Sequence, residues 1–151
     1  MATQTIPAVT HSRAVSRSQS ASRLWPLVGR FLFSGIFVMS GPTLFSKGPA
    51  AAAAQAGVPF AGIAVPLAGL LAIAGGLSIL LGYRARIGAW LIVAFLVPVT
   101  FFMHKFWGIS DPMTAQMQMI NFLKNLGLLG GALLIAYFGA GPLSLDARRD
   151  S

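Results

Sequence analysis

Residues 60–81 read FAGIAVPLAGLLAIAGGLSILL, a stretch without a charged side chain. About 20 mostly apolar residues in a helix, at 1.5 Å each, cross the roughly 30 Å hydrocarbon layer of a bilayer. This stretch therefore reads as a transmembrane helix. Toward the N-terminus the nearest charge is Lys47, and Gly57 and Pro59 separate the helix from a short interfacial segment around Ala50 to Ala56. Before that, residues 24–45 form another span, with Trp25 as an interfacial anchor, Arg30 near enough to the end to snorkel to the headgroups, and Gly41-Pro42 to bend or end it. Toward the C-terminus the turn Gly82-Tyr83-Arg84-Ala85-Arg86 leads into a third span, 87–103, in which Pro98 predicts a kink. The polar connection 104–112 precedes a fourth span, 114–137, which Gly139-Ala140-Gly141-Pro142 stops.

Composition supports this division. Hydrophobic residues make up 56% of the chain and charged residues 9%, against about 25% charged in a soluble domain. Four spans forming a transmembrane domain over 24–142 leave no room for a soluble catalytic domain. Residues 1–23, basic and rich in Ser and Thr, are expected to be a disordered cytoplasmic tail, with an organelle targeting segment as the alternative. Residues 143–151 are expected to be a second cytoplasmic tail.

The net charge of +8 lies in loops and tails rather than on a basic stripe interleaved with aromatics, which argues for lipid headgroups and against nucleic acid. Arg13, Arg17, Arg23, Arg30, Arg84, Arg86, Arg148 and Arg149 fall on one side of the four-span arrangement, and Lys47 and Lys105 on the other. The positive-inside rule then puts both termini in the cytoplasm.

Chemistry-bearing residues are few. With no cysteine, thiolate metal ligands and iron–sulfur clusters are excluded within this chain. One histidine outside the N-terminal tail, His104, cannot make a zinc or bis-histidine haem site. The three acids are Asp111, Asp146 and Asp150, so catalysis by this chain alone is not expected, and neither is an intrinsic cofactor. Lys124 lies deep in the fourth span, where a charge costs about 3 kcal/mol on insertion scales. With Gln118, Asn121 and Asn125 it forms a polar sector, which is expected to face the bundle interior. The sector either lines a site for a carbonyl-bearing or anionic ligand, such as a quinone or a lipid headgroup, or holds helices together. His104 caps the third span or relays a proton beside Asp111, and Phe106 and Trp107 form an aromatic belt. His104, Trp107, Asn121, Lys124 and Asn125 are thus the candidate ligand-binding residues. Ala72/Gly76 and Gly127/Gly131 are small-xxx-small pairs for helix packing.

Several separated motifs resemble the DoxX family of four-helix membrane proteins. They are GRFLFSGIFVMSG at 29–41, AGVP at 56–59, GGLSILLGYRARIGAW at 75–90, HKFW at 104–107, DPMTAQMQMINFLKNLGLLGGALLI at 111–135 and GAGPLSLD at 139–146. The resemblance implies a four-span, all-α bundle in a bacterial inner membrane. It also implies one of several roles: a quinone-coupled subunit, a member of a stress-related membrane complex, or a cargo receptor. Family members often carry Asn-His where this chain has Thr43-Leu44, an acid near Ala72, and Asn in place of Lys105. Two functions of different class follow as expectations. One is a membrane subunit binding quinone or a redox partner without a cofactor of its own. The other is a non-catalytic accessory or assembly subunit packed into a hetero-oligomeric complex, or into a homo-oligomer, in the lipid bilayer.

Overall fold

The computed structural model describes residues 10–149, with side chains from Arg23 onward. The described elements are α1 (Thr10–Ser40), a 3-10 turn (Gly41–Phe45), α2 (Lys47–Gln55), α3 (Ala61–Leu81), α4 (Ala85–Met103), α5 (Pro112–Phe138) and α6 (Leu145–Arg149). Four segments are long and apolar enough to cross a membrane: Arg23–Phe45, Ala61–Leu81, Ala85–Met103 and Pro112–Phe138. The chain is therefore all-α with four candidate spans, each beginning and ending within two residues of its expected bounds. Of the expected N-terminal tail, residues 1–9 lie outside the described residues, as do the side chains preceding Arg23.

Local chemistry sets the boundaries. Pro42 lacks an amide hydrogen, and the chain tightens there from α1 into the 3-10 turn. Pro112 presets the first turn of α5, and the Asp111 carboxylate accepts from the Thr114 N–H at 2.8 Å and hydroxyl at 2.6 Å. Those two contacts start the helix earlier than hydropathy alone places it. Pro66 and Pro98 lie inside α3 and α4, which continue through them as helices.

α3 sits at the centre, packed on α1, α2 and α4, while α5 packs on α4. In lipid no hydrophobic force drives helices together, so close approach depends on small residues. Ala72 is fully buried, and a Cβ on Gly76 would meet Val38 Cγ2 at 3.0 Å and Phe37 Cβ at 3.2 Å, which places the expected pair at the α1–α3 crossing. The α3–α4 crossing is tighter still, since a Cβ on Gly75 would stand 2.8 Å from the Gly88 carbonyl. Around these crossings Phe37, Ile79, Ile92 and Leu96 fill the core, and Phe37 meets Phe95 edge-on at 6.1 Å.

The expected glycine pair on α5 divides. Gly131 lies under the Phe33 ring, whereas Gly127 faces open space. Only 11% of the most apolar window of α5 is buried, against 33% for α3 and α4, so α5 is the helix with most surface left to lipid or to a neighbour.

Candidate functional site

The expected polar sector does not converge. Lys124 is exposed on α5 rather than buried in the bundle, and its Nζ donates to Asn121 Oδ1 at 3.0 Å. Asn125, one residue on, is buried. Gln118, Asn125 and Ala132 recur every seven residues and so share one face, and Asn125 and Ala132 are the buried residues of α5. Lys124 is rotated away from that face by about 100° relative to Asn125.

His104 instead belongs to an apolar slot. The slot has a volume of about 440 Å³, inside the roughly 300–1,000 Å³ of small-molecule sites. Leu44 and Pro49 from the 3-10 turn and α2, Ala64, Val65 and Ala68 from α3, and Phe95, Pro98, Phe102 and Met103 from α4 form its walls, with His104 as their polar member. Local sequence explains the void. Alanines on α3 are short, and the prolines of the Pro49, Pro59 and Pro98 walls hold their segments apart without offering amide hydrogens. His104 caps α4 through its backbone N–H to the Thr100 carbonyl at 3.3 Å, while its ring Nδ1 pairs with Gln118 Oε1 at 2.9 Å. Asp111 is engaged with Thr114, so the partner of His104 is Gln118. That contact engages Nδ1 and leaves Nε2 as the second ring nitrogen.

Trp107 is half-exposed and stands edge-on to Phe122 at 5.9 Å and to Phe106 at 5.3 Å, pinning the connection after His104 onto α5. It is not among the slot's lining residues. The slot's apolar walls were not legible as a site, because no polar residue type marks them. The recurrence of proline at 49, 59 and 98 was the available signal.

At the opposite end Arg30 departs from the expectation of snorkelling. It is 3% exposed, and its Nη2 donates to the Leu143 carbonyl at 2.8 Å, while Ser34 Oγ donates to the Arg30 carbonyl. Arg30 Nε and Nη1 have no hydrogen-bond partner among the described residues. Gly82, in the left-handed region at φ 64°, lies against Nη1 and Ser144, and a Cβ there would overlap both. The segment after Pro142 does more than trail. Asp146 Oδ1 and Oδ2 accept from the Arg84 and Ala85 amides at 2.7 and 3.0 Å, and the Asp146 N–H donates to the Gly82 carbonyl at 2.8 Å. One aspartate thus caps α4 and hooks the C-terminal segment over the α3–α4 turn. The cap also holds Arg84 at φ 49°, a conformation that costs a residue with a Cβ about 1 kcal/mol or more.

Among the described residues no three His, Asp or Glu side chains come together to hold a metal ion. Comparison with known proteins then places the chain. Over 124 residues it is 29% identical to the inner membrane protein YphA of Escherichia coli strain K12, covering 81% of this chain and 88% of that protein. Over 125 residues it is 34% identical to the inner membrane protein YqjF of the same organism, covering 80% and 88%. No solved structure matches the chain. The DoxX family model matches residues 25–105, a stretch that carries the first three spans, the Gly82–Arg86 turn and His104, and the chain belongs to the DoxX family.

Proposed function

We propose that this chain is an inner-membrane subunit that binds a quinone-class ligand in the slot beside His104 and exchanges electrons only through a partner that carries the redox centre. The observation that carries the reading is the slot itself, an apolar cavity of about 440 Å³ with one imidazole in its wall. A quinone ring needs apolar walls and one or two polar contacts. With Nδ1 paired to Gln118, Nε2 supplies the hydrogen bond to an oxygen of the ligand ring. The relatives named as inner membrane proteins support the location. The arginine asymmetry supports cytoplasmic termini, which puts the slot at the external face. Reporter fusions after Arg86 and near Ile109 should then report opposite sides of the membrane, and a shared side would remove this orientation.

The test is titration of the purified chain with a short-chain quinone, followed by quenching of tryptophan fluorescence. His104→Leu should weaken binding about tenfold, the worth of one hydrogen bond. Ala68→Phe, which fills the slot from α3, should abolish it while the protein stays monodisperse. Unchanged binding in both variants would refute the site.

A second reading, an accessory subunit of a larger complex, is favoured by the outer face of α5. Gly127 and Gly130 on α5 face open space, so a neighbouring helix could approach closely. Under this reading Gly127→Leu disperses an assembly seen in mild detergent and leaves the monomer folded. A wild-type chain that runs as a monomer in mild detergent would count against it.

A further inference from the structure

The arginine-rich end of the bundle holds a second cavity, of about 680 Å³, between the α3–α4 turn and the segment that follows α5. Arg84, Arg86 and Arg149 stand in its wall, and Asp146 is the acidic residue among its described lining residues. Both carboxylate oxygens of Asp146 already accept from the amides that begin α4, so their lone pairs are partly committed. Arg86 lies over Gly139, whose Cβ would meet Arg86 Nε at 3.4 Å, so the glycine leaves the guanidinium room at the rim.

Behind this wall lies Arg30. Its guanidinium is bonded to the Leu143 carbonyl and touches the same Gly82 position as Ser144, a residue that lines the cavity. It is 3% exposed and keeps two nitrogens without a partner among the described residues. A buried cation that is not fully paired is costly unless an opposite charge is brought near, and in low dielectric its field is weakly screened. Three arginines and, among the described residues, one committed carboxylate therefore line a cavity with the buried Arg30 behind it, and its lip includes the exposed apolar side chains of Ile87 and Phe138.

We propose that this cavity binds a phosphate group, presented by an anionic phospholipid headgroup or by a soluble phosphate compound. Planar guanidinium forks match phosphate oxygens in pairs, and basic pockets between spans suit such headgroups. Ile87 and Phe138 at the lip would lie along the first carbons of an acyl chain, whereas a soluble phosphate uses the arginines alone. This site is separate from the slot at His104 and stands or falls independently of it.

The experiment uses the full chain purified in neutral detergent. Binding is read by native mass spectrometry and by thermal unfolding with added phosphatidylglycerol, cardiolipin, phosphatidylcholine or inorganic phosphate. Phosphatidylglycerol or cardiolipin should bind and raise the midpoint, and phosphatidylcholine should not. The double variant Arg86→Gln/Arg149→Gln should weaken anionic-lipid binding about 30-fold, at a factor of about five per surface arginine. Lys105→Gln, at the other end of the bundle, should leave it unchanged. If inorganic phosphate at millimolar concentration gives the same shift and competes with the lipid, the source is a soluble phosphate. If only the lipids act, it is a headgroup. The proposal is overturned if neither anionic lipids nor phosphate exceeds phosphatidylcholine, or if Lys105→Gln loses as much as the arginine double variant. Both arginines are exposed, so the double variant is expected to fold, and an unchanged midpoint without ligand verifies that.

Discussion

The two ends of the bundle solve the same problem, closing four helices at a membrane surface, with opposite chemistry. At the arginine end a buried guanidinium, a left-handed glycine and an aspartate that caps a neighbouring helix tie three distant parts of the chain together. At the histidine end closure comes from ring contacts among Phe101, Phe106, Trp107 and Phe122, and the helices part to leave a slot with one polar pair. Polar closure demands that every partner be present, because an unmatched buried charge is costly. Apolar closure tolerates a void, because a wall of methyl groups leaves no hydrogen bond unmade. The difference predicts that the arginine end is brittle and the histidine end adaptable.

The sharpest way to break that comparison is a matched pair of glycine substitutions. Both Gly82 and Gly57 have positive φ, but a Cβ on Gly82 would overlap Arg30 and Ser144, and one on Gly57 meets nothing within 4 Å. Gly82→Val should cost roughly 3 kcal/mol or more, from backbone strain and overpacking together. Gly57→Val should cost only the strain, about 1–2 kcal/mol. Unfolding in detergent measures both, and equal losses would erase the distinction between the ends.

A smaller effect is expected at Asp146. Asp146→Ala removes a cap that satisfies two amides of α4 and should cost about 1–2 kcal/mol. Amide exchange should quicken at Arg84 and Ala85 first, and unchanged protection there would show that the cap holds nothing.

The smallest effect belongs to Asp111, the fully exposed cap at the other end. Its hydrogen bonds from the Thr114 hydroxyl and then the Thr114 amide hold its carboxyl below the usual carboxylate range. A depressed pKa favours the folded state while the group is ionised. That contribution is present above the unfolded carboxylate pKa and is lost as pH falls through the folded value. The first turn of α5 should therefore loosen only in strong acid, and Asp111→Asn should remove that dependence, as measured by helix content against pH.

The spans were legible in the sequence because lipid imposes a length and an exclusion of charge that composition records directly. Ala72 and Gly76 were legible for a similar reason, since close helix approach needs small residues at fixed spacing. Arg30 was misread because a local pattern cannot reveal its acceptor. The Leu143 carbonyl lies 113 positions further along, and near a span's end snorkelling is the ordinary fate of arginine. Lys124 misled in the opposite sense. Its charge drew attention to a side chain that the fold leaves exposed, while the slot is made by residues notable only for what they lack. Gly75 and Gly88 escaped notice because their pairing is between helices, and neither partner marks the other in sequence.

The Arg30–Leu143 contact also orders events in time. During synthesis the first span enters the membrane long before its acceptor exists, and at about 5–20 residues per second the wait is roughly 6 to 23 s. Through that interval the arginine has to stay hydrated at the membrane surface or borrow lipid phosphates, and it settles inside only when the fourth span has emerged and turned back. A ribosome that stalls before Leu143 would leave a chain with all its hydrophobic segments in place and one charge without its acceptor, a ready mark by which quality control could tell an unfinished copy from a finished one.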